Sequence, residues 1–265
     1  MFTFRALGAS ILFWILSIFT PHEDVRPGDM WRIAAASTVG LFIPQFTFLK
    51  AVTMTTAIDT AILSTLAPIF TMFIAAIVLK EPITPKKAIG VTISFIGVLI
   101  LIFNSVTAQN GIEKTSPWGI VLMLLNGLSF ASYLGIFRPL IERYSVITFM
   151  KWMFLFSLAI SFPFSCKDII STDFSSIPGN VMLEIGFLIF FATFVAYFLI
   201  PIGQKNLRPT LVSMYSYVQP IIAALTSIII GMDTVTWQKI MATALIFGGV
   251  ALVNRSKAAN PRTDS

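Results

Sequence analysis

The sequence predicts an all-α polytopic membrane protein with nine transmembrane helices. Of its 265 residues, 56% are hydrophobic and 11% are charged, and the mean hydropathy is +0.87. A water-soluble domain carries about 25% charged residues, so this chain lacks the polar side chains that would cover a surface facing water. Its apolar residues also fall into runs close to the roughly 20 residues that a helix needs to cross a bilayer.

The nine predicted spans are separated by short connections that hold most of the charges and many of the prolines. The first span begins near Met1 without the basic start or the small-residue cleavage site of a signal peptide, so we expect it to be retained. No connection is long enough for a separate soluble domain. The spans are predicted at Phe2–Phe19, Trp31–Leu49, Ala57–Leu79, Ala88–Phe103, Trp118–Phe137, Val146–Phe164, Val181–Ile200, Thr210–Ile230 and Trp237–Val253.

Lysines and arginines are distributed unequally between the two sets of alternate connections. Thirteen of the 18 lie in one set and five in the other. Because cytoplasmic loops are enriched in these residues, we expect the richer side, which includes the C-terminal tail, to be cytoplasmic and the N-terminus to be outside. The short loops and the lack of a targeting segment favour a bacterial inner membrane.

The chain has one cysteine, Cys166, and one histidine, His22. A single cysteine excludes an internal disulfide framework and a cysteine metal site. Since His22 lies in a polar connection, we expect no metal and no cofactor. A nucleophilic serine would need a histidine within the membrane, and the sequence has no H-E-x-x-H motif, so we do not expect an enzyme. The net charge of +6 reflects the loop asymmetry rather than nucleic-acid binding.

Two segments of the chain match without a gap when Pro68 is aligned with Pro220, an offset of 152 residues. The first, "STLAPIFTMFIAAIVLKEPITPKKAIGVTISFIGVLIL", corresponds to "SYVQPIIAALTSIIIGMDTVTWQKIMATALIFGGVALV". Polar positions coincide in the same register, such as Ser64 with Ser216, and so does a glycine–valine pair. The charge distribution places the two copies in opposite orientations. Inverted repeats around a substrate site at the midplane are a recurring architecture of secondary transporters.

The repeated segments resemble the EamA-type transporters of the drug/metabolite transporter superfamily. The resemblance rests on "LKEPITPKKAIG" followed by "FIGVLILI", on "VQPIIAALTSIIIGMDTVTWQKIMATALIFGGVAL", and on the preceding "FLKAVTMTTAIDTAIL" and "GQKNLRPTLVSMYS". It covers almost the whole chain. It implies a carrier with ten spans, five in each repeat, and with both termini in the cytoplasm.

Compared with that family pattern, the chain has four spans before the Asn104–Pro117 connection and five after it. Phe2–Phe19, with its early Arg5, resembles the second helix of the family. We therefore expect the first helix to be missing, either because the start codon lies further upstream or because the protein is naturally shortened. The predicted domains are a first, N-terminally incomplete repeat at 1–104, a second repeat at 117–254 and a cytoplasmic tail at 255–265.

The most direct interpretation is a secondary transporter that moves a small organic metabolite by alternating access, with the two repeats rocking about a central pocket. Phosphorylated sugars would require Lys or Arg within the spans. The sequence indicates none at mid-depth, so we expect neutral, zwitterionic or moderately apolar solutes. The resemblance points to efflux of amino acids, other metabolites or drugs. The alternative is a non-transporting membrane scaffold or an inactive, truncated transporter. Expected partners are a small-molecule substrate and the lipid bilayer but no nucleic acid, with a homodimer left open.

Both mid-helix prolines are expected to break their helices beside a cavity, because proline removes a backbone donor and such breaks are tolerated where other groups or water replace it. Polar side chains at helical spacing from the prolines would share the face that lines the pocket. The same residues could instead form helix–helix hydrogen bonds, with the prolines as packing kinks. The predicted pocket residues are Ser64, Pro68, Tyr133, Tyr197, Tyr215, Ser216, Gln219 and Pro220.

Charged residues near the span ends form two further groups of candidates. Asp59 and Glu184 are the acids nearest to the hydrocarbon, and they are predicted to couple transport to an ion or, for Asp59, to pair with Lys50. Each acid also lies near the first turn of its span, where the helix dipole favours a negative charge. Lys80 and Glu81 are predicted to form either a cytoplasmic gate or a clamp to the next helix.

Overall fold

The computed structural model describes residues 2–55, 57–106, 116–171, 179–229 and 236–256. All regular secondary structure within these ranges is helical, which confirms the predicted all-α class. In chain order the helices are α1 (Phe2–Ile18), α2 (Pro27–Ser37), α3 (Ile43–Val52), α4 (Ala57–Ser64), α5 (Ala67–Val78), α6 (Pro85–Val106), α7 (Pro117–Ile136), α8 (Arg138–Arg143), α9 (Val146–Ser171), α10 (Gly179–Ile189), α11 (Ala196–Asn206), α12 (Pro209–Met214), α13 (Val218–Ile229) and α14 (Trp237–Asn254). A π-helical turn at Thr38–Phe42 joins α2 to α3, another at Phe190–Val195 joins α10 to α11, and a 3-10 turn at Tyr215–Tyr217 joins α12 to α13.

Several helical segments of the described chain are long and apolar enough to cross a membrane. Five reach the length of a span, and α1 and α5 are apolar but shorter. The chain is therefore an integral, multi-pass membrane protein, whereas the full count of nine spans stays a prediction. The five long segments are Pro27–Val52, Pro117–Ile136, Val146–Ser165, Val181–Asn206 and Trp237–Asn254.

Two of the predicted spans are divided close to their prolines. Ala57–Leu79 consists of the separate helices α4 and α5, and Pro68 lies in the first turn of α5, where its missing N–H needs no partner. Thr210–Ile230 consists of α12, the 3-10 turn and α13, with Pro220 in the first turn of α13. Both divided spans therefore place a proline where a new helix starts.

The first of two compact units comprises Met1–Phe46 and Phe137–Asn206. In this unit α1 and α2 both pack along α9. Phe13 of α1 is fully buried, with its ring 5.4 Å from that of Phe154 and 4.7 Å from that of Phe194. Since lipid tails are as apolar as these side chains, close packing rather than water exclusion holds such helices together.

The second unit comprises Thr47–Ile136 and Leu207–Ser265. Here α6 packs along α14, and α5 packs along α7. The α6–α14 contact is close because of glycine: a Cβ added to Gly90 would lie 2.7 Å from the carbonyl oxygen of Gly249. Small residues of this kind let membrane helices approach to backbone contact.

The two units do not coincide with the two halves of the sequence. Each unit takes helices from before and after the connection between α6 and α7. The predicted domain bounds, which follow the expected repeat along the chain, therefore differ from the bounds of the compact units, and they stay a prediction.

Candidate functional site

The helix breaks in the second unit are held by hydrogen bonds between buried polar groups. The break after α4 leaves the carbonyl oxygen of Thr65 to accept a hydrogen bond from Tyr217 Oη at 2.9 Å. The hydroxyls of Thr71 and Ser213, both buried, are hydrogen-bonded at 3.0 Å. The bond from Tyr217 satisfies a carbonyl that the first break exposes. The bond between Thr71 and Ser213 joins α5 to α12.

The two serines predicted to line the pocket bond to backbone carbonyls close to them in sequence. Ser64 Oγ donates to the carbonyl of Thr60, and Ser216 Oγ donates to that of Ser213, both at 2.7 Å. Such local bonds are common for serine in helices. Their hydroxyl protons are therefore engaged, but their oxygen lone pairs can still accept.

The remaining predicted pocket residues differ widely in their exposure. Tyr133 is 2% exposed, with its ring 6.3 Å from that of Phe130. Pro68 is also buried and Pro220 is half-buried, whereas Tyr215 and Gln219 are exposed. These residues belong to the second unit, and Tyr197 belongs to the first. The structure therefore does not gather all eight into one pocket within either unit.

The structure describes the side chains of only some of the residues predicted to couple transport to an ion. Lys50 and Glu184 are exposed. Asp59 lies in α4, but its side chain is outside the part of the chain that the structure describes. The pairing of Lys50 with Asp59 thus stays a prediction.

Glu81 is the centre of a buried ion network in the second unit. It is 5% exposed, and its carboxylate lies 3.2 Å from Lys87 Nζ and 3.7 Å from Arg208 Nε. Lys87, at the start of α6, is completely buried. Lys80, in contrast, is exposed and takes a left-handed backbone conformation with φ 53° at the corner. The geometry therefore suits the clamp interpretation of Glu81, with Lys87 rather than Lys80 as its partner.

Arg208 extends this network to the end of α14, and sequence reasoning missed it. Its guanidinium donates to the carbonyl oxygens of Val253, Asn254 and Ser256 at 3.0–3.3 Å. Val253 and Asn254 are the last two residues of α14 and Ser256 follows it, so these carbonyls lie where helical partners are lacking. The Arg-Pro pair that opens α12 was the one local signal that could have drawn attention to Arg208. Its pairing with Glu81 could not be predicted, because the two residues are 127 residues apart along the chain.

The first unit has its own ion network around Asp29, in the first turn of α2. Its carboxylate accepts hydrogen bonds from Arg143 Nη1 at 2.6 Å and from Tyr144 Oη at 2.7 Å. Arg32 Nη1 lies 3.4 Å away. Lys205 Nζ donates to the carbonyl of Tyr144 at 2.5 Å. The network therefore joins α2, the end of α8 and the end of α11.

Glu23 adds a second carboxylate beside that network. Its Oε2 accepts a hydrogen bond from the backbone N–H of Ser145 at 2.9 Å. Partial burial alone would raise the pKa of the Glu23 carboxyl. Hydrogen bonds from Ser145 and Thr148 and the charge of Lys205 outweigh burial, so the pKa lies below its ordinary value of 4.5.

A polar line runs along one face of α11 and the π-helical turn before it. Arg5 Nε donates to Thr193 Oγ1 at 2.8 Å, and its Nη2 donates to the carbonyl of Ala192 at 3.3 Å. One turn further on, Tyr197 Oη accepts a hydrogen bond from Gln45 Nε2 at 3.2 Å. Of these residues, only Tyr197 is among those that the sequence predicts to line the pocket. Gln45 lies 152 residues before Tyr197, so the repeat offset itself could have paired them.

An apolar crevice of about 470 Å³ lies between α1 and α9 in the first unit. Thr3, Leu7, Leu155 and Phe162 are among the residues that line it. None of the predicted pocket residues is among them. Within the described ranges, no group of three His, Cys, Asp or Glu side chains is placed to hold a metal ion.

Comparisons of this chain with family models and with known proteins point to one family of transporters. The EamA-like transporter family matches residues 1–103 and 117–255. A Bacillus subtilis protein named uncharacterized transporter YyaM is 25% identical over 253 residues, with 91% of this chain and 79% of that protein covered. A protein of Archaeoglobus fulgidus named uncharacterized transporter is 24% identical over 252 residues, with coverage of 94% and 86%. One crystal structure superposes with a TM-score of 0.78 at 18% identity, covering 96% of this chain and 88% of that one, which shows a shared fold.

Proposed function

The chain belongs to the EamA-like transporter family, and from this membership we propose that it is a secondary transporter that moves a small organic metabolite across the membrane by alternating access. The observation that carries the proposal is the family match, which extends over both halves of the chain. The relatives covered over most of their length are themselves named transporters. We further propose export from the cytoplasm across a bacterial inner membrane.

The order of the helices supports an internal repeat, an architecture that recurs among secondary transporters. The helices α2 to α6 and α10 to α14 follow the same sequence of elements, and corresponding helices start 151–153 residues apart. The π-helical turns at Thr38–Phe42 and Phe190–Val195 occupy the same place in each series. This agreement extends the repeat beyond the segments around Pro68 and Pro220 that show it in sequence.

Contacts between equivalent positions support an inverted arrangement of the two repeats. Two residues related by a two-fold axis can touch each other only near that axis. Three hydrogen bonds join residues 152 apart: Gln45 with Tyr197 in the first unit, and Thr65 with Tyr217 and Ser94 with Ile246 in the second.

The glycine contacts between α6 and α14 are reciprocal, as such an axis requires. Gly90 approaches Gly249, and Gly97, which is equivalent to Gly249, approaches Ala242, which is equivalent to Gly90. An added Cβ would lie 2.7 Å from a carbonyl oxygen in the first contact and 2.8 Å in the second. Near-equal distances support a two-fold relation between these helices.

The inverted topology has a direct test in labelling from one side of the membrane. After Cys166→Ser, single cysteines are introduced as Lys80→Cys and Met232→Cys, and sealed vesicles are treated with a maleimide that cannot cross the membrane. The two positions are 152 residues apart and thus equivalent in the repeat, so inversion predicts labelling of one from outside and of the other only after permeabilisation. Labelling of both from the same side would contradict it.

Transport itself is tested by uptake into proteoliposomes. The purified full chain is reconstituted and offered a panel of radiolabelled amino acids, organic acids, amines and neutral metabolites. We expect solute-dependent uptake of at least one class above protein-free liposomes. A folded, correctly inserted chain that moves none of them would favour the scaffold interpretation.

A further inference from the structure

Arg5 places a positive charge deep in the membrane. Its guanidinium bonds to Thr193 and to the carbonyl of Ala192 in the π-helical turn. Both residues lie near the middle of the span Val181–Asn206. At 1.5 Å of rise per residue they are roughly 18 Å from either end of that span, within a hydrocarbon core of about 30 Å.

No acidic side chain that the structure describes lies within ion-pair distance of Arg5. Its two contacts are to a hydroxyl and a carbonyl, which are neutral. In the same unit Arg143 has a carboxylate partner, Asp29. Charged residues inside a membrane are rare, face the interior of the bundle or an aqueous cavity, and mark substrate or ion pathways.

The guanidinium of Arg5 retains donors for a further ligand. Arginine has five N–H groups; the contacts to Thr193 and Ala192 use one on Nε and one on Nη2. Both N–H groups of Nη1 and one of Nη2 remain. One N–H of Nη1 and the remaining N–H of Nη2 lie on the terminal edge of the fork, which can bind the two oxygens of a carboxylate side by side.

Other polar groups near Arg5 offer further hydrogen bonds. Tyr197 lies one turn after Thr193, on the same face of the helix that Arg5 contacts. Gln45 donates to Tyr197, and its Oε1 has no protein partner within the described part of the chain.

We propose that Arg5 is the residue that recognises the transported solute, by binding its carboxylate, with Tyr197 and Gln45 completing the site. The inference rests on the proposed transport function and narrows it from small metabolites in general to carboxylate-bearing ones, either organic acids or zwitterions. It revises the expectation that no Lys or Arg lies at mid-depth. The early position of Arg5 in α1 suggested a place near the membrane surface, whereas its contact with Thr193 places it near the middle of a span. A single arginine between neutral groups matches the one negative charge of a carboxylate.

Binding is tested by thermal unfolding of the purified full chain with matched pairs of probes. The panel contains the proteinogenic amino acids and short mono- and dicarboxylates, each beside its neutral amide, which differs at the carboxyl group alone. Binding to the folded state raises the unfolding temperature. We expect at least one carboxylate to do so while its amide does not. A panel in which no carboxylate stabilises the protein, or in which amides and acids stabilise it equally, would overturn the proposal.

Substitutions of Arg5 separate recognition from structural support. Arg5→Gln should weaken binding of the stabilising carboxylate about 10- to 100-fold, the value of a hydrogen-bonded charge, and Arg5→Lys should keep part of it. The matched control Arg32→Gln, at a half-exposed arginine of the same unit, should bind as the wild type does. If Arg5→Gln lowers the unfolding temperature without ligand but keeps the acid–amide difference, Arg5 is structural and the proposal fails.

Uptake into proteoliposomes distinguishes this inference from the transport proposal. If the wild type takes up the carboxylate and Arg5→Gln does not, the result supports both the transport function and the carboxylate site. If the protein takes up neutral solutes and Arg5→Gln does not change that uptake, the transport function is supported and the carboxylate site is rejected. Arg5-dependent binding without any uptake keeps the site and rejects transport.

Discussion

Each unit has one acidic side chain at the centre of an ion network, and the two networks differ in how far water reaches their cations. The side chains of Asp29 and Glu81 are each 6% exposed. Arg143, which pairs with Asp29, is 44% exposed, whereas Lys87 and Arg208, which face Glu81, are 0% and 18% exposed. A cation near water can be rehydrated when its partner is removed, and a buried cation cannot. The two networks should therefore differ in their contribution to stability although their acids are equally buried.

The largest effect is expected at Glu81. Glu81→Gln leaves Lys87 and Arg208 without a carboxylate, and removing one partner of a buried pair costs about 3–5 kcal/mol. We expect a loss of this size in the free energy of unfolding, measured by thermal or denaturant unfolding in detergent. The double variant Glu81→Gln/Lys87→Met should recover part of the loss because it removes the buried ammonium. A single variant as stable as the wild type would contradict the clamp.

A smaller loss is expected at Asp29. Asp29→Asn removes the charge that Arg143 and Arg32 face, but both arginines are already partly in water. An exposed cation loses little when its partner disappears, so the same unfolding measurement should give a clearly smaller change than Glu81→Gln does. The comparison between the two networks fails if the order of these two variants is reversed.

Tyr217→Phe tests a contact of the second unit that involves a backbone carbonyl and no charged group. Tyr217→Phe removes the hydrogen bond to the carbonyl of Thr65 and leaves that carbonyl without this donor. A buried polar group that loses its partner costs about 1–3 kcal/mol. Tyr215→Phe is the matched control, because Tyr215 is 52% exposed and its change should be near zero. Equal effects of the two substitutions would show that the helix break does not depend on this bond.

The smallest effect is expected at Glu23, and it should depend on pH. Because its folded pKa lies below the ordinary value of 4.5, Glu23 stabilises the folded protein above that value, and this stability is lost as pH falls through the folded pKa. Glu23 is partly exposed, so the contribution is no more than about 1 kcal/mol. Glu23→Gln should flatten the fall in unfolding free energy below pH 4.5 relative to the wild type. An unchanged slope would rule out a role for this carboxylate.

The sequence predicted features that follow from composition and from local pattern. Hydropathy alone indicated an all-α membrane protein. The alignment of Pro68 with Pro220 located two points where helices break, because proline acts on its own turn whatever surrounds it. The 152-residue offset also predicted an internal repeat, which stays a prediction.

Contacts between distant parts of the chain could not be predicted in this way. Arg208 was counted only as a loop charge, since its partner Glu81 is far away in sequence and no periodicity connects them. Arg5 appeared to interrupt an apolar helix, and only its contact with Thr193 reveals its depth. The compact units likewise combine helices from both halves, which no boundary drawn along the sequence could express.

The central claim, that this chain is a carrier, is tested most directly by counterflow in proteoliposomes. Vesicles loaded with an unlabelled carboxylate that stabilises the protein are diluted into a trace of the same compound in labelled form. A carrier that alternates between two faces exchanges the two pools, so we predict a transient accumulation of label above its equilibrium level, absent from protein-free vesicles and reduced by Arg5→Gln. Label that only approaches equilibrium, with no transient accumulation from the wild-type chain, would contradict the account.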